Sequence, residues 1–177
     1  MASIDFEKYI ASIPDYPKPG VVFKDITPLL ADAAAFNAAI DAMSEPYIGK
    51  GVTKVVGSES RGFMFGAPIA LRLDAGFVPA RKPGKLPRET VSESYTLEYG
   101  TETLEMHRDA LDADDKVLIV DDLIATGGTI SAQIDLVKKL GGELVGIACL
   151  IELAFLNPRA ELAKVTDVPL LSLVQVH

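Results

Sequence analysis

The sequence is short of several residue types, and each shortage excludes a class of protein. Its 177 residues include no tryptophan, one cysteine and two histidines. With Cys149 as the only cysteine, an intramolecular disulfide is impossible, and a reducing cytoplasm is the compartment we expect. The two histidines, His107 and His177, form no cluster with cysteines of the kind that binds zinc.

Positive charge is also scarce. There are 17 lysines and arginines against 25 acidic residues, which gives a net charge of −8. Nucleic-acid-binding surfaces are usually basic, so we expect no nucleic-acid partner. No apolar run is long enough to span a bilayer, and the N-terminus lacks a basic region followed by an apolar one, so we expect neither a membrane partner nor a secretory signal. The cations of residues 81–88 can still hold a small anion.

The apolar residues that are present predict an α/β fold. The hydrophobic fraction is 49% and the length suits a single domain over residues 1–177. Five runs rich in Val, Ile and Leu predict strands: Val52–Gly57, Phe77–Ala80, Lys116–Asp121, Leu144–Ile151 and Pro169–Val174. Several of these runs are continuous rather than alternating, as in parallel strands that are buried on both faces. We therefore expect a parallel sheet flanked by helices.

Two amphipathic segments predict helices between these strands. One covers Phe65–Leu73, with Pro68 in its first turn, and the other covers Thr129–Leu140, which ends at a glycine pair. The first 50 residues are more helical in pattern, and residues 84–108 are irregular or antiparallel in pattern.

The segment from Val117 to Ile130 carries the clearest functional signal. A buried strand ends in Asp121 and Asp122, and a helix follows a turn of small residues, which are Ala125, Thr126, Gly127, Gly128 and Thr129. Glycines and a helix start bring backbone N–H groups close to an anion, so this turn predicts a phosphate cradle. The adjacent acids would repel phosphate unless they serve another part of the ligand, such as ribose hydroxyls or Mg²⁺. Without function, the same pattern is a capped strand-to-helix turn.

This order of strand, acid pair and A-T-G-G-T resembles the phosphoribosyl pyrophosphate motif of type I phosphoribosyltransferases. The resemblance implies that family's parallel sheet with an N-terminal hood and a flexible lid. It also implies that residues 125–129 bind the 5′-phosphate, that Asp121 and Asp122 face the ribose hydroxyls, and that the cofactor Mg²⁺ arrives mainly on the substrate.

The N-terminal segment D-Y-P-K-P-G-V-V-F-K-D-I-T-P-L-L, residues 15–30, resembles the hood of the branch of this family that acts on adenine. By this resemblance about residues 1–35 cover the base, and Phe23 stacks on the purine. Backbone groups of Val22 and Lys24 read its edge, although Lys24 stands where the family usually has arginine. Without the resemblance, Phe23 is a core residue.

Three further segments fit the same family. S-E-S-R-G-F, residues 58–63, resembles the pyrophosphate loop, so Ser60 and Arg61 contact pyrophosphate, and a cis peptide found in some members would fall at Glu59–Ser60. Residues 83–95 resemble the lid, with cations for the substrate at Arg81, Lys82 and Lys85. Judged without the family, these segments are an ordinary turn and a solvated basic loop.

The third segment, Y-T-L-E-Y-G at residues 95–100, places Glu98 at the family's catalytic glutamate, whereas Glu102 matches no motif. The resemblance covers about residues 5–174. It implies a homodimer in which Arg81 can reach the neighbouring subunit's site.

The activity implied is the reaction of adenine with phosphoribosyl pyrophosphate to give AMP and pyrophosphate in purine salvage. The same fold could instead act on hypoxanthine, xanthine or guanine. A regulatory protein that senses phosphoribosyl pyrophosphate, or a purely structural domain, are the alternatives from other classes.

Overall fold

The computed structural model describes residues 4–97 and 100–177. Within them lie nine strands: β1 (Ala11–Pro14), β2 (Val22–Asp25), β3 (Lys54–Ser58), β4 (Gly76–Ala80), β5 (Thr90–Leu97), β6 (Gly100–His107), β7 (Lys116–Ile124), β8 (Glu143–Leu153) and β9 (Leu170–Val176). The α-helices are α1 (Thr27–Ala31), α2 (Ala33–Ser44), α3 (Arg61–Arg72), α4 (Gly128–Leu140) and α5 (Pro158–Leu162), and short 3-10 turns lie at Phe6–Tyr9, Glu45–Tyr47 and Ala154–Leu156.

A parallel sheet of five strands forms the centre, in the order β4-β3-β7-β8-β9. All five predicted strands are present, and no end moves by more than three residues. The chain adds β4 to one side of β3 and then crosses to the other side with β7. The boundary between β3 and β7 is therefore the topological switch point, where open α/β sheets bind ligands.

Both faces of the sheet are buried, as the continuous apolar runs predicted. Along β7, Val117 and Ile119 join the core cluster that includes α4, while Leu118 and Val120 join the cluster that includes α2 and α3. Successive side chains of a strand point to opposite faces, so a strand between two helical layers must be apolar at every position.

The N-terminal region is less helical than predicted, because β1 and β2 form an antiparallel hairpin before α1 and α2. Pro14, Pro17 and Pro19 disfavour a helix in the connecting turn. The turn is closed by the Gly20 N–H, which donates to Oδ1 of Asp15 at 2.8 Å. The Tyr16–Pro17 peptide is cis.

The helix expected at Phe65 begins earlier, at Arg61. Only Glu59 and Ser60 separate it from β3, and the N–H of Phe63 donates to the carbonyl of Ser60 at 3.2 Å to close the first turn. Pro68 therefore lies inside the helix and not in its first turn, which corrects the prediction.

Residues 84–108 contain an antiparallel hairpin of β5 and β6, one of the two arrangements expected. Val91 and Tyr95 of β5 pack against the core beside α4, and the Nζ of Lys139 in α4 donates to the carbonyl of Ser92 at 2.9 Å. The predicted lid, residues 83–95, thus combines an exposed turn with the first part of a packed strand. No helix within the described ranges is long and apolar enough to cross a membrane.

Candidate functional site

A cleft of about 270 Å³ lies at the switch point between β3 and β7. Its walls come from the end of β3, the start of α3, the β5–β6 hairpin, β7 and the start of α4. The lining residues are Ser58, Glu59, Ser60, Arg61, Lys82, Tyr95, Glu102, Leu104, Asp121, Asp122, Leu123 and Thr129. Six of the predicted site residues, Ser60, Arg61, Lys82, Asp121, Asp122 and Thr129, are therefore brought together.

The acid pair is buried within β7, which continues past both residues to Ile124. Asp121 is 5% exposed and Asp122 is 4% exposed. Oδ2 of Asp121 accepts a hydrogen bond from Oγ of Ser58 at 2.7 Å, and its Oδ1 accepts one from the N–H of Asp122 at 2.9 Å. The first carboxylate is thus fixed by neighbouring strands.

Asp122 is less completely satisfied. The Nε of Arg61 lies 3.0 Å from its Oδ2, but the N–H is not aligned for a hydrogen bond, and no described residue donates one to this oxygen. A buried acceptor with this geometry suits a hydroxyl donor from a ligand.

Burial raises the pKa of both carboxyls. The pKa of Asp121 lies well above its usual range, because the charge of Asp122 adds to the effect of burial. For Asp122, the Arg61 guanidinium opposes the effect of burial and favours the ionised form. Ionisation of both carboxyls in the cleft therefore costs free energy, and ribose hydroxyls that donate to the carboxylates would lower that cost.

The turn from β7 into α4 has the geometry of an anion cradle. Gly127 precedes the helix at φ 95°, a conformation that favours glycine. No side chain in the described part of the chain caps α4, so its first N–H groups are available to an anion. A Cβ at Gly127 would face Leu162 and Pro158, whereas a Cβ at Gly128 would lie 3.1 Å from the ring of Tyr95. Gly127 is favoured by its backbone conformation, and Gly128 is favoured by its close packing against the β5–β6 hairpin.

Arg61 connects the cleft to the N-terminal hairpin. Its guanidinium carbon lies 5.2 Å from the centre of the Phe23 ring, and the edge of Tyr16 packs on the same ring. Val22 is exposed, and the Nζ of Lys24 donates to Oγ of Ser12 at 2.8 Å across the hairpin. The Lys24 side chain lines a separate pocket and not the cleft.

The remaining predicted cations lie at different depths. Lys82 lines the cleft, and its backbone N–H donates to Oε1 of Glu59 at 2.7 Å. The Nε of Arg81 donates to the same oxygen at 3.3 Å, so Arg81 is engaged within its own chain. Lys85 lies in the exposed turn outside the lining residues. The Glu59–Ser60 peptide is cis, at the position that the resemblance indicated.

Sequence reasoning missed Ser58, Tyr95 and Glu102. The hydroxyl of Tyr95 donates to Oε2 of Glu102 at 2.8 Å and accepts from Oγ1 of Thr129 at 3.2 Å. Glu102 matches no motif, and the structure places it in the wall of the cleft. Glu98, the expected catalytic residue, lies outside the described residues.

The model of the phosphoribosyl transferase domain family matches residues 25–169. Together with the parallel sheet and the cleft at its switch point, this match defines the chain as a phosphoribosyltransferase.

Comparison with individual proteins narrows the class. The chain is 58% identical to an adenine phosphoribosyltransferase of Thermobifida fusca over 159 residues, and this alignment covers 90% of each chain. A solved adenine phosphoribosyltransferase of Rhodothermus marinus superposes with a TM-score of 0.90 at 52% identity, covering 97% of this chain and 96% of that one. A Saccharomyces cerevisiae adenine phosphoribosyltransferase, in complex with an imino-altritol bisphosphate and adenine, gives a TM-score of 0.87 at 37% identity, covering 95% of this chain and 96% of that one. The chain belongs to the adenine phosphoribosyltransferase family.

The burial of Asp121 predicts that its ionised carboxylate destabilises the folded protein. Asp121→Asn should raise the unfolding temperature by about 2–4 °C at neutral pH, the shift that roughly 1 kcal/mol produces in a domain of this size. An acid whose pKa is raised by folding loses stability as the pH rises from its unfolded pKa to its folded one. Asparagine does not titrate, so the advantage of the variant should grow with pH over that window and vanish in acid.

Differential scanning calorimetry at several pH values measures this effect. Asp114→Asn, which changes an exposed acid before β7, is the matched control. The shift in unfolding temperature caused by Asp121→Asn could prove the same at every pH, or equal to the shift caused by the control. Either result would contradict a buried charge at Asp121.

Proposed function

We propose that this chain transfers the phosphoribosyl group of phosphoribosyl pyrophosphate to adenine, forming AMP and pyrophosphate. One observation carries the proposal: a single cleft joins the start of α4, a buried acid pair and an arginine that contacts an aromatic ring of the N-terminal hairpin. In this proposal the start of α4 binds the 5′-phosphate and the acid pair binds the sugar. The arginine binds the pyrophosphate, and the aromatic ring binds the base. The adenine complex of the yeast relative supports the choice of base.

The phosphate cradle fixes the sugar far from the reacting carbon. Backbone N–H groups at the start of α4 and the hydroxyls of Thr126 and Thr129 bind the 5′-phosphate. Asp121 and Asp122 accept hydrogen bonds from the ribose hydroxyls. Binding energy gained at these points orients the anomeric carbon and raises the rate of its reaction.

The bond to pyrophosphate breaks with positive charge developing on the sugar and negative charge on the leaving group. The buried carboxylates favour the first charge, and Arg61 and Lys82 favour the second. We expect Mg²⁺ to be held in this cleft mainly by substrate oxygens. When bound there, Mg²⁺ supplies positive charge to the pyrophosphate.

The base is held by the hood, residues 1–35. Phe23 stacks on the purine, and Leu123 offers an apolar surface in the cleft wall. A backbone carbonyl of the Val22–Lys24 strand accepts from the 6-amino group of adenine, and a backbone N–H donates to the ring nitrogen beside it. The contact is through the backbone, so lysine at position 24 is compatible with it.

Adenine should therefore react much faster than hypoxanthine. A 6-oxopurine reverses both hydrogen-bonding groups and leaves buried polar groups unpaired, at a cost of roughly 1–3 kcal/mol each. The assay incubates the protein with Mg²⁺, phosphoribosyl pyrophosphate and each purine in turn, and nucleotide formation is followed by chromatography. Comparable turnover of hypoxanthine would refute the choice of base while leaving the phosphoribosyltransferase assignment intact.

Glu98 is the residue that we propose to manage the proton of adenine as its imidazole nitrogen attacks. Glu98→Gln should lower the single-turnover rate by about 10²–10⁴-fold, the usual contribution of general acid–base catalysis. Binding of phosphoribosyl pyrophosphate should change little, because the groups that hold phosphate and ribose remain.

The control for Glu98 must lie outside the cleft, which excludes Glu102. Glu143→Gln is suitable, since Glu143 is exposed at the other end of the sheet. If both variants turn over at the parent rate, the proton is handled by another group.

We further propose a cytoplasmic homodimer, as the family resemblance implies. Met64, Pro68 and Leu71 share one face of α3, and Leu71 is 84% exposed. An apolar face of this kind supports a contact between two copies of the chain.

Leu71→Glu should convert the dimer to a monomer in sedimentation velocity experiments, because a charge would be buried in the contact. Ile48→Glu is the matched control, since Ile48 is also exposed and apolar but lies off α3. If the Leu71→Glu variant is still a dimer, the contact between the two copies does not lie at this face of α3.

A further inference from the structure

Tyr95 and Glu102 connect the two ends of the cleft through a chain of polar contacts. Oγ1 of Thr129, in the phosphate cradle, donates to the hydroxyl of Tyr95 at 3.2 Å. That hydroxyl donates to Oε2 of Glu102 at 2.8 Å, and Oε1 of Glu102 lies 3.8 Å from the Nζ of Lys82. The chain starts at a phosphate-binding hydroxyl and ends at a cation for pyrophosphate.

The hairpin geometry fixes these contacts. Tyr95 and Glu102 are directly opposite in the β5–β6 ladder, so their side chains lie on the same face, which is the face toward α4. The next pair, Ser94 and Thr103, points to the other face, where their hydroxyls are 2.8 Å apart. The hairpin therefore carries one polar pair inside the cleft and a matched pair outside it.

The contacts compete with a bound anion at both ends. The Thr129 hydroxyl has one proton, and a phosphate oxygen that accepts it takes it from Tyr95. Pyrophosphate that pairs with Lys82 likewise displaces Glu102, whose carboxylate has the same sign of charge as the ligand. Burial raises the pKa of Tyr95, so its hydroxyl keeps its proton. Once Thr129 donates to phosphate instead, the Tyr95 hydroxyl loses the partner that orients it toward Glu102.

We propose that Tyr95 and Glu102 form a latch that couples the 5′-phosphate site to the pyrophosphate site, so that a ligand at either site opens the contacts that hold the other. The proposal rests on the proposed function. It makes both residues positioning residues: they set the availability of Thr129 and Lys82 without contacting the reacting atoms.

A latch of this kind has a thermodynamic signature. The first anion to bind must open the latch, and the second binds to a protein in which it is already open. Ribose 5-phosphate should therefore tighten the binding of pyrophosphate, and pyrophosphate should tighten the binding of ribose 5-phosphate by the same factor. Repulsion between the two anions acts against this coupling, but it is common to the parent and the variants, so the comparison between them isolates the latch.

The test is isothermal titration calorimetry of pyrophosphate with Mg²⁺, with and without saturating ribose 5-phosphate. Tyr95→Phe keeps the ring against Gly128 and removes the hydroxyl. It should tighten the binding of each ligand alone by about fivefold, as expected for one hydrogen bond, and lower the coupling factor by the same amount. Glu102→Gln keeps an acceptor for Tyr95 but removes the charge beside Lys82, so pyrophosphate alone should bind more tightly while ribose 5-phosphate changes less.

Ser94→Ala is the matched control, since it removes a hydroxyl contact from the other face of the same hairpin. It should leave both affinities and the coupling factor at the parent values. Weaker binding of either ligand by Tyr95→Phe would overturn the latch, because the hydroxyl would then be a ligand contact. A coupling factor that Tyr95→Phe leaves at the parent value would also overturn it.

Failure of the proposed function is a separate result. In that case the parent protein would form no AMP and would bind neither pyrophosphate nor ribose 5-phosphate. A parent that forms AMP and binds both ligands, with couplings unchanged in the variants, would reject the latch alone.

Discussion

The cleft depends on how closely the start of α3 approaches β7. A Cβ at Gly62 would lie 2.9 Å from a carboxylate oxygen of Asp121, and a Cβ at Gly57 would lie 3.0 Å from the carbonyl of Gly62. Glycine at both positions lets the turn after β3 rest directly on the acid-bearing strand. Arg61 is consequently close enough to contact both Asp122 and Phe23. This one packing contact therefore brings together Arg61, the acid pair and the Phe23 ring.

The same contact places carboxylates where solvation is poor. Ser58 and a backbone N–H stabilise Asp121 by hydrogen bonds. The Oδ2 of Asp122 accepts no hydrogen bond from the described residues and has only the nearby, misaligned Arg61. Apolar packing on both faces of the sheet supplies the stability that this arrangement removes. Preorganised acceptors that are costly without a ligand are typical of binding sites, where stability and function oppose each other.

Local sequence patterns predicted the parallel sheet, the acid pair and the turn of the cradle, because strand runs and the turn before α4 depend on neighbouring residues. The sites of Ser60, Arg61 and Lys82 were predicted only through the family resemblance. They did not predict contacts between distant segments. Tyr95 reaches Thr129, 34 positions away, and Ser58 reaches Asp121, 63 positions away. Pairing of Tyr95 with Glu102 depends on the register of the β5–β6 hairpin. The sequence between these two strands contains no clear turn motif that would have predicted this register. The predicted helix begins too late because S-R-G, within residues 58–63, is typical of an ordinary turn, whereas α3 begins at Arg61.

The hairpin that carries the lid is fixed to the helix that carries the cradle. Lys139 of α4 pairs with Glu93 and donates to the carbonyl of Ser92, and Arg88 contacts His107 and Asp109 at the base of the hairpin. The Lys139 contacts hold the middle of β5 against α4, and the Arg88 contacts join the segment before β5 to the end of β6. The described part of β5 is thus packed, whereas the turn that precedes it in the predicted lid is exposed. In the proposed latch, an anion at the start of α4 acts on the hairpin through an exchange of side-chain contacts at Tyr95, which does not require the whole hairpin to move.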